Sequence, residues 1–288
     1  MNKKKILNIA GIAILVLMLI VCGYFGFKNF QVQKNKSTLP IDTDKTETTE
    51  KTIEIKTDFY EITAKYPVEK LDKENLIKQF IDYQVEQKKE DWKEGGEIYN
   101  EEKEVEKQFP DRPKMTYLFN VNYQKFESTD FGTVSYVLIL EEYTGGANGN
   151  AKVQTFTFNK DGFVDINSIL DLAGSVKDEN GNTLYNDLAL TKKLQQKALT
   201  NPEEFPVEQI LNEGLGLSYL KPDGVTLDHE KCMCDGWLYA SNLQNFVVSN
   251  QGLTFYFNKY EITIGASGIS SISLDWESLE PYRLSSFN

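Results

Sequence analysis

Tyr117-Leu118-Phe119-Asn120-Val121-Asn122-Tyr123 puts Tyr117, Phe119, Val121 and Tyr123 at every second position, with mostly polar residues between them. Side chains of a strand alternate between its two faces, so this spacing describes a strand with one face buried and one face wet. Downstream, Thr133 to Leu140 is more uniformly apolar, which suits a central strand. Val153 to Phe158 resumes the strand pattern, and Asn159-Lys160-Asp161-Gly162 supplies turn residues before Phe163 to Ile166, which predicts a hairpin.

Upstream, Ile53, Ile55 and Phe59 alternate and run into Tyr60-Glu61-Ile62-Thr63-Ala64-Lys65-Tyr66-Pro67. Leu76, Ile77, Phe80, Ile81 and Val85 then recur at three- and four-residue spacing after Asp72, predicting an amphipathic helix over 72–92 with Asp72 as its N-cap. The charged stretch that follows, through Pro110 and Pro113, reads as irregular. Helical segments are expected at 167–172, 184–199 and 206–211, the last two separated by Asn201-Pro202. Phe246-Val247-Val248, the turn Ser249-Asn250-Gln251-Gly252 and Leu253-Thr254-Phe255-Tyr256-Phe257 spell a second hairpin, and Ile272, Leu274 and Trp276 alternate so that Trp276 packs inward. Strands, then helices, then strands predict an α+β fold of antiparallel sheet or sheets with packed helices, preceded by one N-terminal transmembrane helix.

That helix is expected at 6–27, where 22 positions carry no charge and Asn8 is the one strongly polar side chain. A helix of this length spans about 33 Å, against about 30 Å for a hydrocarbon core. Three lysines within residues 1–5 favour a cytoplasmic tip, which places the body of the chain outside the cytoplasm, as a single-pass protein of the cell membrane. The apolar run continues through Tyr24, Phe25 and Phe27 instead of ending in an Ala-x-Ala-like site, which favours retention over cleavage. Leu19-Ile20-Val21-Cys22 is similar to a lipid-attachment box but has Val21 where a small residue is wanted, so Cys22 reads as an ordinary buried thiol. Residues 28–51 are rich in Lys, Thr, Glu and Asp, a composition too polar to fold, and form a disordered linker. The ectodomain then divides into halves at 52–150 and 151–288.

The formal charge of −12 conceals an asymmetry, because residues 1–36 hold six Lys and no acid, leaving 25 basic against 43 acidic residues, or −18, for 37–288. Such a body repels nucleic acid, whose binding needs basic residues to replace counterions. Cationic partners are favoured.

Three blocks occur in order: Tyr60-Glu61-Ile62 leading into the long helix and the Tyr117 strand; Tyr143-Thr144-Gly145-Gly146-Ala147-Asn148-Gly149, with aromatic strand and Ile166-Asn167-Ser168-Ile169-Leu170 after it; and Asn245-Phe246-Val247-Val248 through Gly252 to Ile262 with Gly265-Ala266-Ser267-Gly268. Over about residues 55–282 they resemble the extracytoplasmic PdaC/RsiV-like domain, a family named for a peptidoglycan deacetylase and an anti-sigma factor. The resemblance implies a sensing or wall-facing module. It departs from the family at Asn148, where a His often follows Gly-Gly-Ala, and only a few residues stand before the anchor, so the expectation is the module without an effector domain.

The chemistry-bearing residues point to binding. Gly145-Gly146-Ala147-Asn148-Gly149 presents backbone N–H groups to an anion or a sugar on one reading, and is a plain strand connection on the other. Tyr143, Gly145, Gly146 and Asn148 are therefore candidate ligand-binding residues, with Trp92 and Trp237 as candidate aromatic platforms for a sugar or a protein contact. Asn148 does not titrate. Cys232 and Cys234 leave a disulfide, a pair of free thiols and a weak His229-containing metal motif open. One histidine and no Gly-x-Ser-x-Gly elbow exclude a serine-hydrolase triad, and the metal centre of the deacetylase relative, which usually draws on two histidines, has too few here. The expectation is a binding module, not an enzyme, that needs no cofactor or metal and takes cell-wall glycan or a cationic extracellular protein such as a lysozyme. The alternatives are a carbohydrate-modifying enzyme built on two carboxylates, or an accessory subunit of a membrane complex.

Overall fold

The computed structural model describes residues 49–287 apart from 113, 146, 147, 179 and 233–237. The expected tip, anchor and most of the linker lie outside the described residues. Among those described, no helix is long and apolar enough to cross a membrane.

Six strands make the first sheet in chain order: β1 (Thr49–Lys56), β2 (Tyr60–Val68), β3 (Tyr117–Ser128), β4 (Thr133–Tyr143), β5 (Asn150–Asn159) and β6 (Gly162–Phe163). Thr49 to Thr52 already pair with Val68 to Lys65, although their side chains are exposed. All neighbours are antiparallel except β2 and β3, which run parallel from the Tyr60–Tyr117 pair to the Ala64–Val121 pair. That exception follows from the connection, since a parallel neighbour needs a long crossover and two helices supply it.

The first of these, α1 (Leu76–Trp92), was expected. Its N-cap is Asn75, in the left-handed conformation, and not Asp72. Asp72 nevertheless holds the helix end from four residues upstream, its carboxylate accepting from the backbone N–H groups of Leu76 at 2.7 Å and Ile77 at 3.0 Å. The second, α2 (Glu97–Gln108), occupies the stretch read as irregular. Seven of its twelve residues are Glu or Lys, which obscures the stripe of Ile98, Tyr99 and Val105, and Glu102 is buried against Arg112 and the Tyr117 hydroxyl.

Tyr60, Ile62, Ala64, Phe119, Val121, Tyr136, Leu138 and Phe158 face α1 and meet Ile77, Ile81, Val85 and Trp92 in the first core. A second core gathers residues 164–282 around β9 (Phe246–Val248), β10 (Gly252–Phe257) and β11 (Ser270–Asp275), an antiparallel sheet in the order β11-β10-β9. The expected second hairpin is β9–β10, and Gly252 is required there because a Cβ would lie 2.0 Å from the Leu274 carbonyl oxygen. The short pair β7 (Ser175–Lys177) and β8 (Thr183–Tyr185), then α3 (Asn186–Leu199), α4 (Glu208–Gly214), α5 (Leu238–Ser241) and α6 (Trp276–Leu279), complete this half. The 167–172 helix is reduced to a 3₁₀ turn at Ile166–Ser168, capped by Asp165. Trp276 packs on Phe131 and Phe287 and is half-buried. The first core ends in sequence at Phe158 and the second begins at Val164, and β5 pairs along its length with β4. The two cores join through Val137, Val153, Val247 and Tyr256. The fold is mixed α+β with sheets rich in antiparallel pairs.

Candidate functional site

Glu142 of β4 pairs in register with Phe119 of β3 on one side and Asn150 of β5 on the other, while Leu140 pairs with Lys152. Alternation turns all five side chains to the α1 side of the sheet. Beyond the first core this face is no longer filled by α1, and Tyr83, Gln84, Gln87, Lys88 and Asp91 of the helix stand over it. Between helix and sheet lies a cleft of 210 Å³ lined by these ten residues. Phe119 and Leu140 form its buried apolar floor, and its walls are polar.

Lys88 and Glu142 bridge the cleft at 2.7 Å with side chains 19% and 24% exposed. The Lys88 ammonium also lies 5.5 Å from the centroid of the Trp92 ring, so it is held between a carboxylate and an aromatic face. Tyr83 stands at the rim, 61% exposed. Gln84 and Gln87 add two amides that donate and accept, Lys152 an ammonium and Asp91 a carboxylate. Two lysines balance two acids here, in a body whose overall charge is strongly negative. Such a surface suits a neutral or zwitterionic polar ligand with an aromatic contact at one end. The cleft is smaller than the about 300–1,000 Å³ of sites that enclose a drug-sized molecule.

The residues singled out from the sequence fare differently. Trp92 is 0% exposed, between Tyr60 and Tyr117 in the first core, which corrects its assignment as a binding platform. Its indole N–H has no hydrogen-bond partner among the described residues. Tyr143 ends β4 next to Glu142 but points to the opposite face of the strand, partly exposed. Gly145 takes φ +104°, a conformation that favours glycine, and Asn148 is exposed. Gly146, Trp237 and Cys234 lie outside the described residues. Cys232 is disulfide-bonded, and His229 is exposed. No group of three or more His, Cys, Asp or Glu among the described residues is placed to hold a metal ion.

The cleft residues were not singled out from the sequence. Gln84, Gln87, Lys88 and Asp91 read there as the solvated face of a helix, and their partners come from three strands far away in the chain. The one available signal was the polar ending of otherwise apolar strands at Glu141-Glu142 and Asn150-Ala151-Lys152.

A buried acid also lies in the second core. Asp187, in the first turn of α3, is raised above the usual carboxylate range by burial, and the Tyr239 hydroxyl is pushed up to about 12, by burial first and by Asp187 second.

A protein family of unknown function, DUF3298, matches residues 181–277. A member of that family from Bacteroides fragilis is similar in structure at 18% identity, with 83% of this chain and 95% of that chain covered and a TM-score of 0.47. A DUF3298 family protein from Pseudomonas aeruginosa is similar at 9% identity, with 84% and 97% covered and a TM-score of 0.48. No curated protein matches the sequence significantly.

Proposed function

We propose that this chain is a membrane-anchored extracytoplasmic binding module for cell-wall material, with residues 6–27 as its anchor, residues up to the first strand as a tether, and the cleft between α1 and β3–β5 as its ligand site. The cleft is the observation that carries this reading. Its exposed Tyr83, paired amides and held ammonium are groups that stack on and hydrogen-bond to a sugar ring or its amide substituents, while its size suits one residue of a polymer. Support for the location comes from the lysine-flanked apolar run and from the resemblance to the PdaC/RsiV-like wall-facing domain.

The test is pull-down of residues 49–288 with insoluble peptidoglycan, followed by titration with soluble fragments. Binding is expected, and Tyr83→Ala with Gln87→Ala should abolish it. Retention of binding in that double variant would remove the cleft from the account. The acidity of residues 37–288 favours a second reading, capture of a basic muramidase, which predicts binding that weakens steeply as salt rises from 50 to 500 mM, that is, as the Debye length falls through about 10 Å.

A further inference from the structure

β5 has two jobs in one strand. Its even-numbered residues Asn150 and Lys152 line the cleft, while the backbone groups of its odd-numbered residues point away from β4 along an edge that β6 covers only at Phe158 and Asn159. Unpaired edge groups in a half-buried strand must find partners or water. Here they are met by side chains of the C-terminal half. The Asn258 amide oxygen accepts from the Val153 N–H at 2.8 Å, and the Asn245 amide oxygen accepts from the Thr155 N–H at 3.1 Å. The Lys259 backbone N–H donates to the Ala151 carbonyl at 3.1 Å, and its ammonium to the Gly149 carbonyl at 2.5 Å. Thr155 returns the contact, its hydroxyl accepting from the Phe246 N–H at 2.8 Å.

We infer that Asn245, Asn258 and Lys259 are positioning residues of the cleft, fixing the strand that carries Asn150 and Lys152 without touching the ligand. None of the three lines the cleft, yet their partners run from Gly149 to Thr155, on both sides of its two β5 residues. Two asparagines and a lysine replace the missing neighbour strand, and all three lie within the segment that the family matches. The C-terminal half thereby sets the geometry of a site built wholly from the N-terminal half. The placement of Glu142 depends on it as well, because Glu142 pairs with Asn150 and closes on Lys88.

The inference rests on the cleft as the ligand site, but its test includes a readout without ligand. In the full chain in detergent, the rate at which an amine-reactive ester labels Lys88 reports whether the cleft is closed by Glu142, and amide exchange of Val153 reports the clamp. Asn258→Leu removes the acceptor at similar volume, and Asn258→Asp keeps one. We expect Asn258→Leu to raise Val153 exchange and Lys88 labelling severalfold, Asn258→Asp to restore both, and Lys259→Met to raise Lys88 labelling by a smaller factor. Unchanged Lys88 labelling in Asn258→Leu, despite faster Val153 exchange, would overturn the inference by making the clamp local to the edge. Unchanged Val153 exchange would overturn it at its first step. If Asn258→Leu does not fold, Lys259→Met carries the same comparison. Failure of the wild-type chain to bind soluble peptidoglycan fragments would count against the ligand reading alone, because labelling of Lys88 does not depend on it.

Discussion

Lys88 and Glu142 meet in an open cleft at the edge of the first core, whereas Asn186, Asp187, Thr191 and Asn242 of the second are buried among aliphatic side chains. In the second core the polar groups are spent on the chain itself: the Asn242 amide donates to the Leu215 carbonyl at 3.1 Å, and the Asn186 amide to the Asp171 carbonyl at 2.6 Å. In the first, Lys152, Asp91 and two glutamines are left facing solvent around a concave surface. The second core thus turns its polar groups inward, and the first leaves polar groups around an open concave surface.

The largest effects should come from breaking either core. Trp92→Ala is expected to cost about 3–5 kcal/mol in urea unfolding, as expected for a fully buried tryptophan. An unchanged midpoint would put Trp92 back on the surface as a binding platform. Phe255→Ala, 0% exposed in the second core, should cost a similar about 3–5 kcal/mol. Both variants should melt in one transition, because Val137, Val153, Val247 and Tyr256 join the cores. Two separated transitions would split the molecule along the comparison.

Alkaline pH gives the next effect. Burial pushes the Tyr256 and Tyr239 hydroxyls up to about 12 from the ordinary value of 10. Unfolded chains lose these protons first, so stability should be full below pH 10 and fall as pH rises from 10 towards 12. Tyr256→Phe should reduce that loss in a pH series of thermal melts; an unchanged alkaline slope would contradict the burial of its hydroxyl at the junction.

Smaller effects separate the cleft from the second core. Glu142→Gln should cost only about 0.5–1 kcal/mol, since the pair is partly screened by solvent, and should weaken ligand binding by more than it weakens the fold. Asp187→Asn should stabilise the protein at neutral pH. Because burial raises the Asp187 pKa, the cost of its charge is present above that raised value and vanishes as pH falls below the ordinary carboxylate range, so the gain should vanish there too. A gain that persists in acid would assign it to packing.

Strand alternation and helical spacing made most of the scaffold legible, including β2 to β5, α1, α3 and the β9–β10 hairpin. The parallel β2–β3 pair was not legible, because the helix that completes its crossover, α2, carries its apolar stripe on only three residues, Ile98, Tyr99 and Val105, within a highly charged segment. Trp92 was misread for want of one step: Ile77, Ile81, Val85 and Trp92 lie within about 80° of one another on a helix turning about 100° per residue, so Trp92 belongs to the buried stripe. The cleft was hidden for a different reason. Its polar residues are ordinary for surface positions, and only the register of three strands against α1 brings Phe119, Glu142 and Asn150 under Lys88.

Calorimetric titration of residues 49–288 with soluble peptidoglycan fragments, run beside the Tyr83→Ala and Gln87→Ala double variant, tests the central claim most directly. The account predicts saturable binding by the wild-type chain and its loss in the variant, with thermal stability unchanged because both side chains are exposed. Equal binding by the two proteins would contradict the cleft as the ligand site, and no binding by either would contradict the wall-binding function.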